Sequence, residues 1–585
     1  MTTLNSKLMD LEELTLNAKQ IQDDMLEEIL RVNANTEYLR RFLHGSSDKK
    51  LFQKNVPLVS YEDVKPYIER VANGEPSHVI SGEPITYFSL SSGTSGGKLK
   101  FFPTNNKYFE NLAFIQALCS AIISKYIDGI KEGKVIKFMN TRPLSTTPSG
   151  LHAAPAFTGF LRSDCFKNRP SKCYTSPDEV ILCFEDKQSM FCHLLCGLVQ
   201  RATVVSMSAI FAFTLVQAIR FLETHWKELC ANIRSGHVSD WITDLSCRES
   251  VSAILGGTNL ELADVIEKEC IHKSWEGIIT RLWPNIKFIE SISTGQMSQY
   301  VPILEFYSNK LPLISPLYGA SEALFGVNVD PLCNPQDVSY TFIPTMSYFE
   351  FVPVDEGNND EIVDLVDVKR GCSYEILVTN RFGLYRYRMG DILEVTGFYN
   401  SAPKFRFVRR KNVVLSVHVE ATTEEDLVKA LSRASHVIES SGLMLMGFTC
   451  YSDVSTVPGH YVIYWELKSR KTNGIVQLDN KVMVECCCVV EESFDIIYRR
   501  LRNRYDSIGA LEIRVVDQGT FDSLMEYFIS KGASSSQYKT PLCVNSPEVL
   551  SILEEKVVAR FFSDKPPPLG YKHGNIGITM MHKNN

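Results

Sequence analysis

No stretch of the chain is apolar for long enough to cross a membrane. The nearest approach, around Phe211 to Leu215, is short and is broken by Thr214 and Gln217. Met1 to Arg41 is polar and helical in pattern, without the apolar segment that a secretory leader needs. A basic stripe is missing too. The 61 Lys and Arg are interspersed with 68 Asp and Glu for a formal charge of -7, which argues against nucleic acid as a main partner. There is no internal repeat and no low-complexity segment. The 16 cysteines therefore belong to a chain expected in the cytoplasm, where thiols stay reduced. Cys486, Cys487 and Cys488 lack partners at zinc-site spacing and read as the buried face of a strand or helix.

What is present is enough for more than one large core: 585 residues, 44% of them hydrophobic. Leu11, Leu14, Leu16, Ile21, Met25, Ile29 and Leu30 mark an apolar helical stripe near the start, and residues 107–130 continue as a helix. From there to about residue 400, strand-like runs (135–139, 180–184 and 348–352) alternate with helical ones, the pattern of an α/β domain. An acidic turn at 355–360 separates two strands. After Lys411 the pattern changes to Val413–Val417, a capped helix from Thr423, and a strand at 461–466. The reading is a large N-terminal α/β domain over 1–410, a hinge at 411–422, and a smaller α+β domain over 423–585.

Three segments carry chemistry. Leu90-Ser-Ser-Gly-Thr-Ser-Gly-Gly-Lys-Leu-Lys100 has the composition of a phosphate loop: glycines for tight turns and close backbone approach, hydroxyls from Ser91, Ser92, Thr94 and Ser95, and charge from Lys98 and Lys100. Its spacing is not that of a P-loop, and an ordinary surface turn has the same composition. Tyr318-Gly-Ala-Ser-Glu322 follows the strand-like 311–314, so Glu322 sits just past a strand end, where a carboxylate can hold Mg²⁺ or simply start a helix. Tyr385-Arg-Tyr-Arg-Met-Gly-Asp391 precedes the strand-like 392–395. Asp391 can accept from two ribose hydroxyls, or merely form a turn.

In this order and at these separations, the three segments resemble the motifs of the plant Gretchen Hagen acyl-acid-amido synthetases, an auxin-responsive family within the adenylate-forming superfamily. The resemblance covers nearly the whole chain, including 59–67, 174–179 and Gln537-Tyr-Lys-Thr-Pro541, and is greatest to the benzoate-type branch. It implies a luciferase-like fold with a mobile small domain, and a two-step reaction. A carboxylic acid attacks the α-phosphorus of ATP, with Mg²⁺, to give an acyl-adenylate and pyrophosphate. The amine of an amino acid then displaces AMP. Ser91 to Gly96, including Gly93, would hold phosphate, and Asp391 the ribose. Tyr318, Gly319 and Ala320, with Thr294, Leu317 and Ser321, would surround the nucleotide, and Tyr340 is either an aromatic wall or plain core. Lys539 matches the lysine that the superfamily brings to the adenylating phosphate; the bland alternative is a solvated lysine. A small-molecule acid and a free amino acid are the implied partners, and a monomer is the family default.

Two departures stand out. Family members carry Asp-Lys-Thr where this chain has Glu420-Ala421-Thr422, so a hinge lysine is absent; Arg409, Arg410 or Lys411 could compensate. Where benzoate-type relatives offer an Arg and a Tyr to the acid, this chain has Cys119 and Gln116, which share one helix face. An acid bulkier than salicylate is expected: an indole-alkanoate, a chorismate-like acid or a substituted benzoate. Acyl-CoA ligation, simple ATP hydrolysis and a hormone-binding member with weak turnover are the alternatives.

Overall fold

The computed structural model describes residues 2–91, 100–169, 173–354, 361–411, 413–471, 476–533, 535 and 538–569. The acidic turn at 355–360 lies outside them. The chain forms two compact units: residues 1–411 with 470–473 and 525–541, and residues 412–469 with 474–524 and 542–585.

The first unit is built around two sheets. One is parallel, ordered Lys134–Phe138, Val204–Phe211, Phe288–Ile292, Leu313–Ile314. Its strands are buried and rich in Val, Ile and Phe, as sheets covered on both faces must be. On one face the helix Asp186–Val199 comes close at Gly197, where an added Cβ would lie 2.7 Å from Ile136 Cδ1. On the other, Ile123 of the helix Asn106–Tyr126 packs with Phe288 and Ile314. The second sheet has eight antiparallel strands, with Leu317–Gly319 at one edge and the long strands Tyr387–Tyr399 and Ala402–Arg410 inside. Aromatics fill its core; Phe351 and Phe405 stack at 4.8 Å. Only residues 315 and 316 separate the last strand of the parallel sheet from the edge strand of the antiparallel one, so the chain crosses between sheets at Ser315–Pro316. A further antiparallel pairing, Tyr87–Leu90 with Phe101–Thr104, holds the two ends of the Ser/Gly loop together.

The second unit packs the helices Glu424–Ser440 and Asn480–Ser493 on a four-stranded sheet of Leu443–Asp453, His460–Ser469, Glu512–Val516 and Val557–Phe562. Thr423 caps the first helix as expected: its Oγ1 accepts from Asp426 N at 3.3 Å and the Asp426 carboxylate accepts from Thr423 N in return. Cys486, Cys487 and Cys488 are buried on the second helix.

Some expectations change. Residues 180–184 are not a strand: Asp178–Ile181 is a short helix, because Pro177 and two acids open it and Val180 and Ile181 bury as helical neighbours. The helix after the loop ends at Tyr126 rather than at 130. Glu322 starts no helix but sits in the bend between Leu317–Gly319 and Leu324–Val327. Asp391 is not a turn residue but the fifth residue of a 13-residue strand.

Candidate active site

The segment 385–391 is held from below before it offers anything to a ligand. Tyr385 donates to Ile80 O at 2.7 Å. Arg386, 6% exposed and at a φ of 50°, forms a two-pronged pair with Glu350, both contacts 3.0 Å, and donates to Gln53 O at 2.7 Å and Val56 O at 3.0 Å. Arg388 pairs with Glu375 at 2.5 Å. Gly390 has a φ of 73°, a left-handed conformation that favours glycine. These contacts fix the backbone that presents Asp391.

Asp391 is engaged on both oxygens. The Tyr318 hydroxyl donates to Oδ2 at 2.5 Å and Arg410 Nε to Oδ1 at 2.9 Å. Burial and the Asp391 charge push the Tyr318 hydroxyl well above its ordinary range, so it stays a donor. Glu322 stands nearby. Burial pushes its carboxyl up, against the pull of Arg410, and the Asp391 charge adds to the rise. Asn380 Nδ2 pins the Glu322 carbonyl at 3.0 Å, and the Tyr108 hydroxyl donates to Ala320 O at 3.2 Å. No side chain among the described residues donates to the Glu322 carboxylate. An acceptor of this kind, in a burial that penalises its charge, suits a hard divalent cation such as Mg²⁺.

The crossing between the sheets gathers further members. Tyr340, 1% exposed, is part of the core, and its hydroxyl bonds Ser315 at 2.8 Å and Thr294 at 3.1 Å. Its ring lies 5.9 Å from that of Tyr318. Cys119 donates to Pro316 O at 3.4 Å; burial pushes its thiol up, so it is a neutral donor and not an anchor of charge. Gln116 lies half-buried on the same helix, and Leu317 and Gly319 are half-buried on the edge strand. Ser321 donates to Leu90 O at 3.4 Å, and Ser91 N to Lys100 O at 3.0 Å, which brings the 318–322 bend to the stem of the Ser/Gly loop. Ser92, Gly93, Thr94, Ser95 and Gly96 lie outside the described residues, as does Gln537. Lys539 sits with its ammonium 4.7 Å from the Phe211 ring centre, beside Tyr538, whose ring packs on Phe213 at 5.4 Å.

Arg410, one of three residues that the sequence offered as a stand-in for the hinge lysine, pairs with Asp391, and Lys411, another of them, pairs with Glu375 at 3.1 Å. Arg386 and Glu350 were not foreseen, since nothing in their local sequence marks a buried ion pair. Within the second unit, Glu420 is buried and accepts from His418 N at 3.0 Å and the Tyr461 hydroxyl at 2.9 Å, while Ala421 is exposed.

Comparison with known proteins places the whole chain in one family. The GH3 family N-terminal domain matches residues 7–313, the GH3 family central domain 340–410 and the GH3 family C-terminal domain 425–548. The Arabidopsis thaliana 4-substituted benzoates-glutamate ligase GH3.12 is 58% identical over 560 residues, covering 94% of this chain and 97% of that protein. Indole-3-acetic acid-amido synthetase GH3.17, from the same plant, is 51% identical over 96% of this chain and 97% of its own. Among solved structures, the AtGH3.15 acyl acid amido synthetase in complex with 2,4-DB superposes with a TM-score of 0.91 at 50% identity, covering 97% of this chain and 98% of that one. No helix among the described residues is long and apolar enough to cross a membrane. Matched across all three domain models, the chain belongs to the GH3 family.

Proposed function

We propose that the protein is a ligase that joins a carboxylic acid to an amino acid through an acyl-adenylate. The acid's carboxylate oxygen attacks the α-phosphorus of ATP and pyrophosphate leaves; the amino acid's amine then attacks the acyl carbon, loses its proton and displaces AMP. The observation that carries this reading is the carboxylate pair at the sheet crossing. Asp391 is poised to exchange the Tyr318 hydroxyl for ribose hydroxyls, and Glu322 is a carboxylate nearby whose charge burial disfavours and Arg410 supports. Such a site acts by positioning and by neutralising charge. Glu322 would hold Mg²⁺, which would supply charge neutralisation on the phosphates. Lys539 would act on the α-phosphate, and Ser91 to Gly96 would bind the others.

Several features support an aryl or indole acid. The relatives bear benzoate and indole-3-acetic acid names, and Gln116 with neutral Cys119 supplies no fixed positive charge. A soluble cytoplasmic monomer is part of the same proposal. The test is ATP-to-pyrophosphate exchange by the purified chain with Mg²⁺ over benzoates, indole-alkanoates, chorismate and jasmonate, followed by mass spectrometry with each amino acid. Acid-dependent exchange and amide product are expected. Acid binding without exchange would instead indicate a binding protein, and thioester formation with coenzyme A an acyl-CoA ligase.

A further inference from the structure

Two cysteines and an aspartate from separate segments of the first unit meet beneath its surface. Cys183 lies just past the short helix Asp178–Ile181, Cys247 sits in the first turn of the helix Leu245–Leu255, and Asp244 is the N-cap of that helix. The two sulfurs and an Asp244 carboxylate oxygen all lie within 4.8 Å of one another. Cys247 donates to the Cys183 sulfur. Both cysteines are buried and Asp244 is half-buried, while Leu182 and Phe184, on either side of Cys183, are exposed. The cluster is therefore shallow, with the carboxylate on its solvent side.

The surrounding backbone holds the three groups in place. Gln188 Oε1 accepts from Thr243 N at 2.9 Å and from Asp244 N at 3.0 Å, and Asp244 Oδ1 accepts from Cys247 N at 3.0 Å. Thr141 Oγ1 donates to Leu182 O at 2.7 Å, next to Cys183. Acceptors crowd the sulfurs. Cys247 Sγ stands 3.2 Å from Glu179 O and Cys183 Sγ 3.7 Å from Glu185 O, so the single Cys247 proton faces both a carbonyl and the other sulfur. Asp244 has no cationic partner among the described residues, and its second oxygen accepts from none of them. A cation would satisfy such a set of acceptors, and sulfur ligands select a soft or borderline ion over Mg²⁺ or Ca²⁺. Bonds of about 2.3 Å to sulfur and 2.0–2.2 Å to oxygen put the ligand atoms of tetrahedral zinc roughly 3.5–3.8 Å apart. Atoms at most 4.8 Å apart close on such an ion with shifts of under about 1 Å.

We propose that Cys183, Cys247 and Asp244 bind one Zn²⁺ ion, at a site built from residues that the nucleotide site does not use. The fourth position belongs to water on the side of Asp244. The incoming ion displaces the thiol protons, which pass to the solvent, and the two thiolates and the carboxylate become its ligands. The ion then ties residues 179–185 to the start of the helix Leu245–Leu255. The site stands independently of the ligase reading.

The experiment titrates the full chain, reduced and stripped of metal by a chelator, with Co²⁺ as a spectroscopic substitute for Zn²⁺. Excess Mg²⁺ is present throughout to fill oxygen-only sites. About one Co²⁺ per chain is expected, with a thiolate-to-cobalt charge-transfer band and the ligand-field bands of a tetrahedral ion, all removed by Zn²⁺. C183S and C247S should each lose about half of the charge-transfer intensity and weaken binding by about 10–100-fold or more, since loss of even an outer-shell partner costs that much. D244N keeps the helix cap, because asparagine caps as well as aspartate, and should keep the intensity while weakening binding about tenfold or more. C192S, at a buried cysteine of the helix Asp186–Val199 outside the cluster, should bind as the wild type does. Absence of the charge-transfer band overturns the proposal, and so does a band that the serine variants leave unchanged or that C192S alone removes. Loss of two hydrogens on mild treatment with hydrogen peroxide, seen by mass and blocked in C183S and C247S, in a chain that takes up no metal, identifies the pair as a disulfide and also overturns it. Should a serine variant fail to fold, as circular dichroism would show, D244N decides: weakened Co²⁺ binding supports the site, and unchanged binding rejects it.

Discussion

The Tyr318 hydroxyl and the Asp391 carboxylate are joined by a 2.5 Å hydrogen bond, while Arg410 holds the other oxygen at 2.9 Å. A ribose that bonds Asp391 must displace the tyrosine or share its oxygen. Hydrogen bonds to a charged acceptor contribute about 1.5–3 kcal/mol. Asp391→Asn should therefore lower kcat/KM for ATP about tenfold or more. Tyr318→Phe, which keeps the ring and removes the competitor, should lower the KM for ATP by about threefold or more. A rise in KM for both variants would show that the tyrosine hydroxyl serves the nucleotide directly.

Burial raises the Glu322 carboxyl above its ordinary value of 4.5, so a proton competes for it at a higher pH than at an exposed carboxylate. Mg²⁺ needs the ionised form. Its apparent affinity in the exchange assay should weaken as pH falls toward the raised value, and recover as pH rises past it. Glu322→Gln should weaken Mg²⁺ about tenfold and abolish that pH dependence; a Mg²⁺ titration at several pH values measures both.

Lys539 lies against the Phe211 ring and next to the buried Tyr538. Loss of one preorganised donor at a developing charge costs about a hundredfold or more. Lys539→Ala should lower exchange by that order while acid binding, read by calorimetry, persists. Exchange within about threefold of the wild type would assign the lysine to solvent.

Arg386 and Glu350 are both nearly inaccessible and bond each other twice. Arg386→Met leaves Glu350 charged and unpaired, a loss of about 3–5 kcal/mol. Denaturant unfolding should show that loss, and the double variant Arg386→Met with Glu350→Gln should recover part of it.

His193 is buried, bonds Ser176 Oγ at 2.7 Å and Met139 O at 2.8 Å, and is pushed by burial from 6.5 down to about 4. Between these values the unfolded chain binds a proton there that the folded chain does not. Stability should thus be full above pH ~6.5 and decline as pH falls toward ~4, by about 3 kcal/mol from this group. His193→Gln should flatten that part of the stability profile, which thermal unfolding against pH would show.

Much of this molecule was legible in its residues. Alternating apolar runs give α/β order because strands and helices repeat at different periods, and Val135–Met139 and Tyr348–Val352 fell where strands formed. Thr423 announced a capped helix because the cap is a local bond three residues long. Glu322 and Asp391 were legible as carboxylates in turn-rich motifs, since the chemistry of a side chain belongs to the residue wherever it folds. Residues 180–184 misled, because a short apolar run has no period of its own and only its neighbours choose between helix and strand.

Tertiary structure alone decided the pairings. Tyr318 and Asp391 are 73 positions apart, Arg386 and Glu350 36, and Ser208 and Glu290 82. Which carboxylate is capped, which is left open and which arginine is used up depends on contacts between segments remote in sequence. Such contacts are selected by burial, where an unpaired charge is costly and a partner is required. The residues determined what chemistry was available; the pairing of strands within each sheet and the packing between remote segments decided which of those groups meet.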